Sequence, residues 1–291
     1  MIVHLKNLLK KAQKNNYALG SFNTHNLETT LGILRAAQAE ESPLIISISP
    51  NSIRYAGLKP IVHIIETAAK NVVPTIPISF HLDHGENFHE ASECIRAGFS
   101  SIMIDNSELP FDENIFQTKK VVEYAHRYGV WVQGEIGRVP KTKEEIKLLH
   151  EKPEEFLTKP EEAVEFFKKT GVDTLAIGIG NIHGKYKMTH PVKINWSRLR
   201  EIHKVIKIPL VLHGASGLKK EEIKKAISLG IKIINIHTEI NIAFSQALRK
   251  KINNDKKEVD PRKILLEPIK AIEEIVKEKI RMFGSSNRTK R

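Results

Sequence analysis

The 291-residue sequence has a single cysteine, few aromatic residues and no long apolar run, and each shortage excludes a class of protein. One cysteine, Cys94, cannot form an internal disulfide, so we expect a reducing compartment. No apolar run approaches the roughly 18–20 residues that a membrane-spanning helix needs. The opening stretch, Met1–Lys14, has the spacing of an amphipathic helix and lacks the apolar block of a signal peptide. These features predict a cytoplasmic protein with no membrane partner.

Aromatic residues make up only 6% of the chain, which bears on the meaning of its formal net charge of +12. A strongly basic chain invites a nucleic-acid function. Here, however, lysines alternate with glutamates, as in Lys219–Glu222 and Lys256–Glu258, which is typical of a solvated helix face. The few aromatic residues do not interleave with basic ones as base-stacking platforms would. The composition therefore predicts no nucleic-acid partner.

Short apolar runs rich in β-branched residues alternate with helical patterns along the chain. The predicted strands are Ala18–Phe22, Leu44–Ser49, Ile78–Asp83, Ser101–Asp105, Val130–Glu135, Thr174–Ile179, Leu210–His213 and Lys232–Ile236. The predicted helices include Leu27–Glu40, Ile61–Asn71, Phe88–Ala97, Asn114–Tyr128, Pro160–Lys169, Trp196–Ile206, Glu221–Leu229 and Glu239–Ile252. Eight strand–helix units without a linker predict one α/β domain over residues 1–291, a (β/α)₈ TIM barrel rather than an open sheet.

Two segments do not fit this regular alternation. The stretch over residues 138–159 is charged, contains Pro140 and Pro153, and is longer than a usual connection. Long connections in compact domains are often lids, so we expect a lid loop here. An extra C-terminal helix is predicted over about residues 262–282, followed by a polar, basic tail.

Every predicted strand ends in a polar side chain that can bind a ligand or transfer a proton. Because the carboxyl ends of the strands carry the functional groups of such a barrel, we expect these side chains to surround one site. In chain order they are Asn23, Ser49, Asp83 with His84, Asp105, Glu135, His183, His213 and Asn235. Any one of them could instead cap the next helix, which is the favoured interpretation for Ser49 alone and an equal one for Asp105. A polar residue at all eight ends favours a site.

The stretch His81–Gly85 places an acid and a histidine side by side where the third predicted strand ends. Side chains within a strand alternate between faces, so Asp83 and His84 cannot both point the same way inside one. We therefore expect His84 to lie just past the strand end, where both groups can enter one site.

Three histidines at strand ends, His84, His183 and His213, are each followed by glycine. Three imidazoles from strands three, six and seven would form a His₃ metal site with an open position. Zinc suits nitrogen ligands best, and cobalt, iron and manganese stay open. The remaining histidines are interpreted as surface residues, except for His81 and His237, whose roles stay open.

The turns after the last three predicted strands indicate an anion site. They are Gly178–Gly184, His213–Gly217 and Asn235–Thr238. The loops after strands seven and eight usually hold phosphate in this fold, through backbone N–H groups and helix N-termini. Glycine-rich turns around a metal site therefore favour a phosphorylated substrate.

A metal beside an anion cradle, with Asp83 as acid–base, describes enolate chemistry next to a carbonyl. The metal would polarise the ketone oxygen, and Asp83 would carry the hydroxyl proton in carbon–carbon bond cleavage. No strand end in this set is a lysine, so a Schiff-base mechanism is disfavoured.

Six motifs and a closing one together resemble a known family. They are His81–Gly85, Ala97–Ser107, Tyr128–Gly137, Gly180–Lys187, Pro209–Leu218, Asn235–Glu239 and Gly284–Arg288. With these motifs the chain resembles, over essentially its whole length, the class II, metal-dependent ketose-bisphosphate aldolases of fructose- and tagatose-bisphosphate type.

The resemblance implies roles for the matching residues. Asp83 would be the catalytic acid–base, and Asp105 and Glu135 would hold a second or displaced metal. The zinc ligands would be His84, His183 and His213. The substrate-binding set would be Asn23, Ser49, Gly184, Gly214, Ser216, Asn235, Thr238, Arg262 and Arg281. In that set Asn235 would contact the dihydroxyacetone phosphate moiety, and the two arginines would lie near the distal phosphate.

The cofactor implied by the resemblance is Zn²⁺, with Co²⁺, Fe²⁺ or Mn²⁺ as alternatives, and a monovalent cation is compatible with it. The implied assembly is a homodimer or homotetramer, with the C-terminal helix as a contact.

Two departures from the family pattern concern strand five and the lid. Gln133 stands where the family has the first of two glutamates, whereas Glu135 is kept. The lid lacks the family's paired glycines, and register places Lys143 where the family has the glutamate that handles the carbon-bound proton. A protonated lysine cannot accept that proton, so Glu144 is the predicted base, with Glu145 the lesser candidate.

The sequence therefore predicts an active zinc aldolase that reversibly cleaves fructose 1,6-bisphosphate into dihydroxyacetone phosphate and glyceraldehyde 3-phosphate, as in glycolysis and gluconeogenesis. Two alternatives stay open. One is a tagatose-1,6-bisphosphate aldolase of the same family, and the other is a non-catalytic metal- and phosphate-binding protein on the same scaffold.

Overall fold

The computed structural model describes residues 1–184 and 193–289, and its centre is a closed barrel of eight parallel strands in chain order. The strands are β1 (Leu19–Asn23), β2 (Leu44–Ile48), β3 (Ile78–Gly85), β4 (Ser101–Ile104), β5 (Trp131–Ile136), β6 (Thr174–Ile177), β7 (Leu210–Leu212) and β8 (Ile231–Ile236). The last strand pairs with the first, which closes the barrel. The predicted (β/α)₈ fold is confirmed, and predicted and observed strands agree to within two residues at each end.

Helices connect the strands and cover the outside of the barrel. They are α1 (Leu5–Lys14), α2 (Leu27–Ala39), α3 (Pro50–Ala56), α4 (Leu58–Val72), α5 (Phe88–Arg96), α6 (Phe111–Arg127), α7 (Lys143–Glu151), α8 (Pro160–Thr170), α9 (Trp196–Val205), α10 (Lys220–Ser228), α11 (Thr238–Asn254), α12 (Pro261–Ile264) and α13 (Leu266–Phe283). Across the described residues, no helix combines the length and apolar character that crossing a membrane requires.

The strands are buried on both faces. Every residue of β2 and β8 is buried, and both strands are rich in isoleucine. Near-continuous apolar strands of this kind are typical of parallel sheets that lie between a packed interior and a layer of helices. The barrel interior is therefore a core and not a channel.

The amino-terminal helix α1 closes one end of the barrel. Its apolar face, with Leu5, Leu8 and Leu9, packs against Leu19 and Ile45, which lie at the starts of β1 and β2. The backbone of the preceding residues also pairs with the start of β3. The carboxyl end of the barrel, where the strands finish, is not covered by α1.

The predicted lid loop over residues 138–159 contains a helix, α7, and a 3₁₀ turn, Pro153–Glu155. The side chain of Thr142 accepts a hydrogen bond from the backbone N–H of Glu145, whose carboxylate accepts one from Thr142 N–H in return. This capping box explains why α7 begins where it does. The segment predicted as a lid loop thus includes a helix that the sequence analysis does not predict, although Thr142–Glu145 has the Thr-x-x-Glu pattern of a capping box.

The C-terminal segment contains two helices and not one, because the chain turns at Leu265 between α12 and α13. The long helix α13 packs against α2 and α11, with Ile272, Val276 and Ile280 fully buried. Gly32 of α2 permits this close packing, since a Cβ atom there would lie 2.6 Å from Ile272. Helix α13 is therefore part of the layer around the barrel.

A buried ion pair connects α13 to the mouth of the barrel. Lys279 Nζ lies 2.7 Å from Glu239 Oε2, and each side chain is only 6% exposed. Glu239 Oε1 also accepts a hydrogen bond of 3.2 Å from the backbone N–H of Gly217, in the loop after β7. The C-terminal helix thus supports a loop at the carboxyl end of the strands.

We predict that Lys279→Met lowers the free energy of unfolding by about 3–5 kcal/mol, because the Glu239 carboxylate would stay buried without its cation. Urea unfolding followed by circular dichroism measures the change. The control is Lys270→Met, which removes an ion pair with Glu267 whose side chains are 56% and 53% exposed. That exposed pair should contribute at most about 1 kcal/mol. Similar losses in both variants would contradict the importance of the buried pair.

Candidate active site

A cavity of about 580 Å³ opens at the carboxyl ends of the strands. A volume of this size suits a small-molecule ligand. The predicted site residues that line it are Asn23, Ser49, Asp83, His84, Asp105, His183, Gly184, His213, Gly214, Ser216, Asn235 and Thr238. Glu135 lies fully buried beside this cavity, with an oxygen close to His84 and Asp105. The structure thus brings most of the predicted residues together.

An irregularity in β3 places the acid and its neighbouring histidine in the same cavity. The pairing of β3 with β4 shifts register between Leu82 and Gly85, and His84 has a left-handed backbone with φ of 52°. Such a bulge changes the direction of side chains that would otherwise alternate. The expectation that His84 lies past the strand end was wrong, since β3 continues to Gly85. The expectation that Asp83 and His84 share one site agrees with this geometry.

The three predicted histidines approach one another at the centre of the cavity. The ring centroid of His84 lies 4.6 Å from that of His213 and 5.3 Å from that of His183. One nitrogen from each ring lies within 4.8 Å of the others, which is the spacing of a metal site. His183 Nε2 is buried and has no hydrogen-bond partner among the described residues. A nitrogen donor left unpaired between two other imidazoles fits a divalent ion.

The electrostatics of the histidines also favour positive charge at this point. Burial opposes protonation of His84, but the Asp83 carboxylate and a 2.7 Å hydrogen bond to Asp105 outweigh burial and raise its pKa to about 9. Burial, and then the charge on His84, lowers the pKa of His183 to about 3. The same two causes hold the pKa of His213 well below its usual value. The site therefore stabilises a cation while keeping two imidazoles neutral.

The two predicted metal carboxylates form a second group around His84. Asp105 and Glu135 each place an oxygen within 4.8 Å of it. Burial, and then the charge of Asp105, raises the pKa of Glu135 to about 8, and Glu135 Oε2 has no partner among the described residues. Burial acts against ionisation of Asp105 too, yet the hydrogen bond from His84 holds its pKa well below the usual range. A cation beside these carboxylates would satisfy both.

Two asparagines hold the carboxylate of Asp83. Asn23 Nδ2 donates to Asp83 Oδ2 at 2.7 Å, and Asn235 Nδ2 donates to Oδ1 at 2.9 Å. Burial would raise the pKa of Asp83, but the charge on His84 holds it below its usual value. Asp83 is therefore ionised, fixed in direction and able to accept a proton. Both asparagines, predicted as substrate-binding residues, thus also position Asp83.

The turns predicted to bind an anion follow β6, β7 and β8 and line the same cavity as the histidines. Gly214 has a φ of 61°, and a Cβ atom there would lie 2.2 Å from the carbonyl oxygen of Ile182, so only glycine fits. Gly184 and Ser216 line the same cavity, as does Thr238 at the start of α11. The predicted motif Gly180–Lys187 continues into residues 185–187, which lie outside the described residues.

Ser49 fulfils both interpretations of its position. Its side chain accepts a hydrogen bond from the backbone N–H of Ser52 and so caps α3, and the same residue lines the cavity. Helix α3 itself is not predicted by the sequence pattern, because it is only 7 residues long.

A cluster at the rim of the cavity was missed by sequence reasoning. His25 and His237 lie with their Nε2 atoms 3.2 Å apart, and Asn241 contacts both rings. His25 Nδ1 is 2.7 Å from the hydroxyl of Ser52. The interpretation of His25 as an ordinary surface residue was wrong. Its position two residues after the end of β1, like that of His237 near the end of β8, is the signal that could have found it.

The lid contributes a lysine to the cavity, and this residue was also missed. Lys141 Nζ lies 3.7 Å from Asp105 Oδ2 and 3.3 Å from Glu108 Oε1. The backbone of Pro140 accepts a 2.9 Å hydrogen bond from His183 N–H, so the lid contacts the loop of a predicted metal ligand. Lys143, which the register places at the position of the family's glutamate, begins α7 and does not line the cavity.

The predicted base Glu144 is exposed on α7 and does not line the cavity in this conformation. Glu145 is occupied, since it caps α7 and accepts a 2.9 Å hydrogen bond from Arg138. The conformation described here therefore brings neither carboxylate to the substrate position.

The two predicted distal-phosphate arginines lie away from the cavity. Arg281 forms an ion pair with Glu40, at the end of α2 from which the chain enters β2, so it belongs to the opposite end of the barrel. Arg262 is 89% exposed and pairs with Asp260 at the start of α12. Placing Arg281 at the substrate was wrong, because the α13 helix directs it to the α2 terminus, and Arg262 does not reach the substrate within this chain.

Comparison with known proteins identifies relatives along the whole chain. The family model "Fructose-bisphosphate aldolase class-II" matches residues 3–288. The chain is 43% identical over 290 residues to a fructose-bisphosphate aldolase of Staphylococcus aureus (strain Mu50 / ATCC 700699), covering 99% of both chains. It is 40% identical over 288 residues to one of Geobacillus stearothermophilus, covering 99% of this chain and 98% of that one.

A solved structure agrees with the sequence relatives. The crystal structure of the YdjI aldolase from Escherichia coli K12 matches with a TM-score of 0.85 at 32% identity, covering 100% of both chains. Agreement at this level along the entire length confirms the resemblance indicated by the sequence motifs. The chain belongs to the class-II fructose-bisphosphate aldolase family, whose members are metal-dependent aldolases.

Proposed function

We propose that the protein is a zinc-dependent aldolase that reversibly cleaves fructose 1,6-bisphosphate into dihydroxyacetone phosphate and glyceraldehyde 3-phosphate. The observation that carries the proposal is the approach of three histidine rings to Asp83 beside an anion cradle in one cavity. The names of the relatives at 43% and 40% identity support fructose bisphosphate as the substrate. Tagatose 1,6-bisphosphate is the alternative, and turnover of the two sugars side by side decides between them.

The substrate would lie across the cavity with one phosphate at the cradle. Backbone N–H groups of the glycine-rich turns and hydroxyl groups would bind its oxygens. The proposed contact residues are Asn23, Ser49, Gly184, Gly214, Ser216, Asn235 and Thr238. Binding without turnover would instead support a non-catalytic metal- and phosphate-binding protein.

The histidines His84, His183 and His213 would hold the divalent ion, which we propose is zinc because the donors are neutral imidazoles. When bound, the ion supplies Lewis-acid polarisation of the substrate carbonyl. Asp105 and Glu135 offer a second position for a cation. Cobalt, iron and manganese are the ions to compare with zinc.

Asp83 performs the proton transfer at the hydroxyl group. Its carboxylate, ionised and held by two asparagines, accepts the proton of the C4 hydroxyl as the C3–C4 bond breaks and the aldehyde forms. In the condensation direction the protonated Asp83 returns that proton to the aldehyde oxygen. The electron pair of the broken bond remains on C3 of the dihydroxyacetone phosphate half, where a second group must deliver a proton.

We further propose that the protein is cytoplasmic and forms a homodimer or homotetramer. The single cysteine suits a reducing compartment. Exposed apolar residues lie around the turn between α11 and α13, where Ile252, Val259 and Leu266 are 48%, 85% and 39% exposed. We expect these exposed apolar residues to take part in a contact between subunits, and light scattering at micromolar concentration tests it.

We predict that His213→Ala loses its divalent ion, because two imidazoles cannot replace a three-ligand site. The loss of metal affinity should exceed the roughly 10–100-fold loss that follows mutation of a residue that only hydrogen-bonds to a metal ligand. Metal content after gel filtration, measured by mass spectrometry, checks this. His63→Ala is the control, since His63 lies on α4 with a side chain that is 76% exposed. Full metal occupancy in His213→Ala would exclude the assignment.

For Asp83→Ala we predict retained metal and a fall in cleavage by about 10²–10⁴-fold, the usual contribution of a general acid–base. Exchange of the carbon-bound proton of dihydroxyacetone phosphate should persist, because Asp83 acts on the hydroxyl and not on carbon. Metal analysis, cleavage assays and tritium exchange on the same preparation separate these effects. Parallel loss of metal and activity would make Asp83 a ligand instead.

We propose Glu144 as the group that exchanges the carbon-bound proton once the lid moves over the substrate. Glu144→Ala should lower tritium exchange into dihydroxyacetone phosphate more than it lowers cleavage. The matched control is Glu151→Ala at the far, exposed end of α7. Unchanged exchange in Glu144→Ala would remove Glu144 from the mechanism, and unchanged exchange in the Glu144/Glu145 double variant would remove both lid carboxylates.

A further inference from the structure

Gln133 lies on β5 directly behind a histidine of the metal group, and it is 1% exposed. Its Nε2 atom is 2.9 Å from His213 Nε2 and 3.1 Å from Met103 Sδ. Its Oε1 atom is buried and has no hydrogen-bond partner among the described residues. A buried amide whose nitrogen has partners and whose oxygen has none is uncommon and requires an explanation.

The contact determines which nitrogen of His213 can meet an ion. Gln133 occupies the Nε2 side of the ring, so Nδ1 is the nitrogen left for the cation. In the orientation described, the amide N–H of Gln133 donates to Nε2, and the neutral ring then carries its proton on Nδ1. That tautomer cannot bind a cation through Nδ1, because the nitrogen has no free lone pair.

Rotation of the Gln133 side-chain amide by 180° exchanges its nitrogen and oxygen and favours the other tautomer of His213. Oε1 of Gln133 would then accept a hydrogen bond from Nε2–H of His213, and the lone pair on Nδ1 would face the cation site. The half-turn also gives the unpaired Oε1 a partner. An amide can thus satisfy either tautomer of His213, whereas a carboxylate in the same place would accept only from Nε2–H.

We infer that Gln133 is a positioning residue that allows His213 to adopt the tautomer unable to bind a cation through Nδ1, and so makes the site hold its divalent ion less tightly than a carboxylate would. Ligating histidines commonly donate their second N–H to a carboxylate or carbonyl, and this fixes the ring for the metal. In this chain the partner is neutral and accommodates the ion-free tautomer equally well. The inference rests on the metal site of the proposed function and not on the identity of the sugar.

The test measures ion affinity in the absence of substrate. Zn²⁺ affinities of the wild type, Gln133→Glu and Gln133→Met are compared by competition with a chelator at fixed pH. We expect Gln133→Glu to bind Zn²⁺ about tenfold more tightly, since a charge-assisted hydrogen bond is roughly twice as strong as a neutral one. We expect Gln133→Met to bind about 10–100-fold more weakly, because the ring loses its partner.

A spectroscopic measurement separates tautomer control from a structural effect. Nitrogen-15 NMR of the ion-free proteins reports which nitrogen of His213 carries the proton. Gln133→Glu should place it on Nε2, whereas the wild type should show Nδ1–H. Gln38→Glu is the control for added charge, because Gln38 is exposed on α2 and should leave affinity and tautomer unchanged.

The outcomes are distinct. Affinities of both variants within threefold of the wild type would overturn the inference, as would the same His213 tautomer in the wild type and Gln133→Glu. If Gln133→Met does not fold, as shown by circular dichroism, the isosteric Gln133→Glu variant alone decides. Absence of aldolase activity in the wild type would refute the proposed function and leave this measurement intact.

Discussion

The bulge in β3 is the constraint on which the rest of the site depends. A regular strand would direct Asp83 and His84 to opposite faces, one into the cavity and one into the helical layer. The register shift before Gly85 and the left-handed backbone of His84 turn both side chains into the cavity. Backbone strain of this kind costs of order 1–3 kcal/mol and persists only where the surroundings support it. Gly85 allows β3 to pack closely against β4 after the bulge. A Cβ atom at this position would lie 2.6 Å from the carbonyl oxygen of Met103.

Around that bulge, each reactive group has a fixed partner before any substrate arrives. Asn23 and Asn235 orient Asp83, and Asp105 orients His84. Groups held in this way need little rearrangement during the reaction, which is how preorganised sites stabilise charge. Two of the polar atoms that remain unpaired among the described residues, on His183 and Glu135, belong to the two groups in which a cation would complete the set.

The sequence predicted the barrel and the inner site because both depend on local patterns. Alternating strands and helices are visible as periodicity, and the end of each parallel strand is the point where its side chain meets the cavity. The sequence did not predict the partner of Arg281 or the rim pair of His25 and His237, because those contacts depend on how distant helices and loops pack. The direction of Gln133 also required the structure, since a substitution in a motif does not reveal which ring it faces.

The packing of α1 against the amino end of the barrel affects how ligands enter and leave the cavity. Leu5, Leu8 and Leu9 cover the amino end among the described residues, whereas the cavity lies at the carboxyl ends of the strands. In the proposed reaction, the substrate and both products would pass through the carboxyl end. The product nearer that end would leave before the one bound deeper, and α1 would influence this order without contacting either.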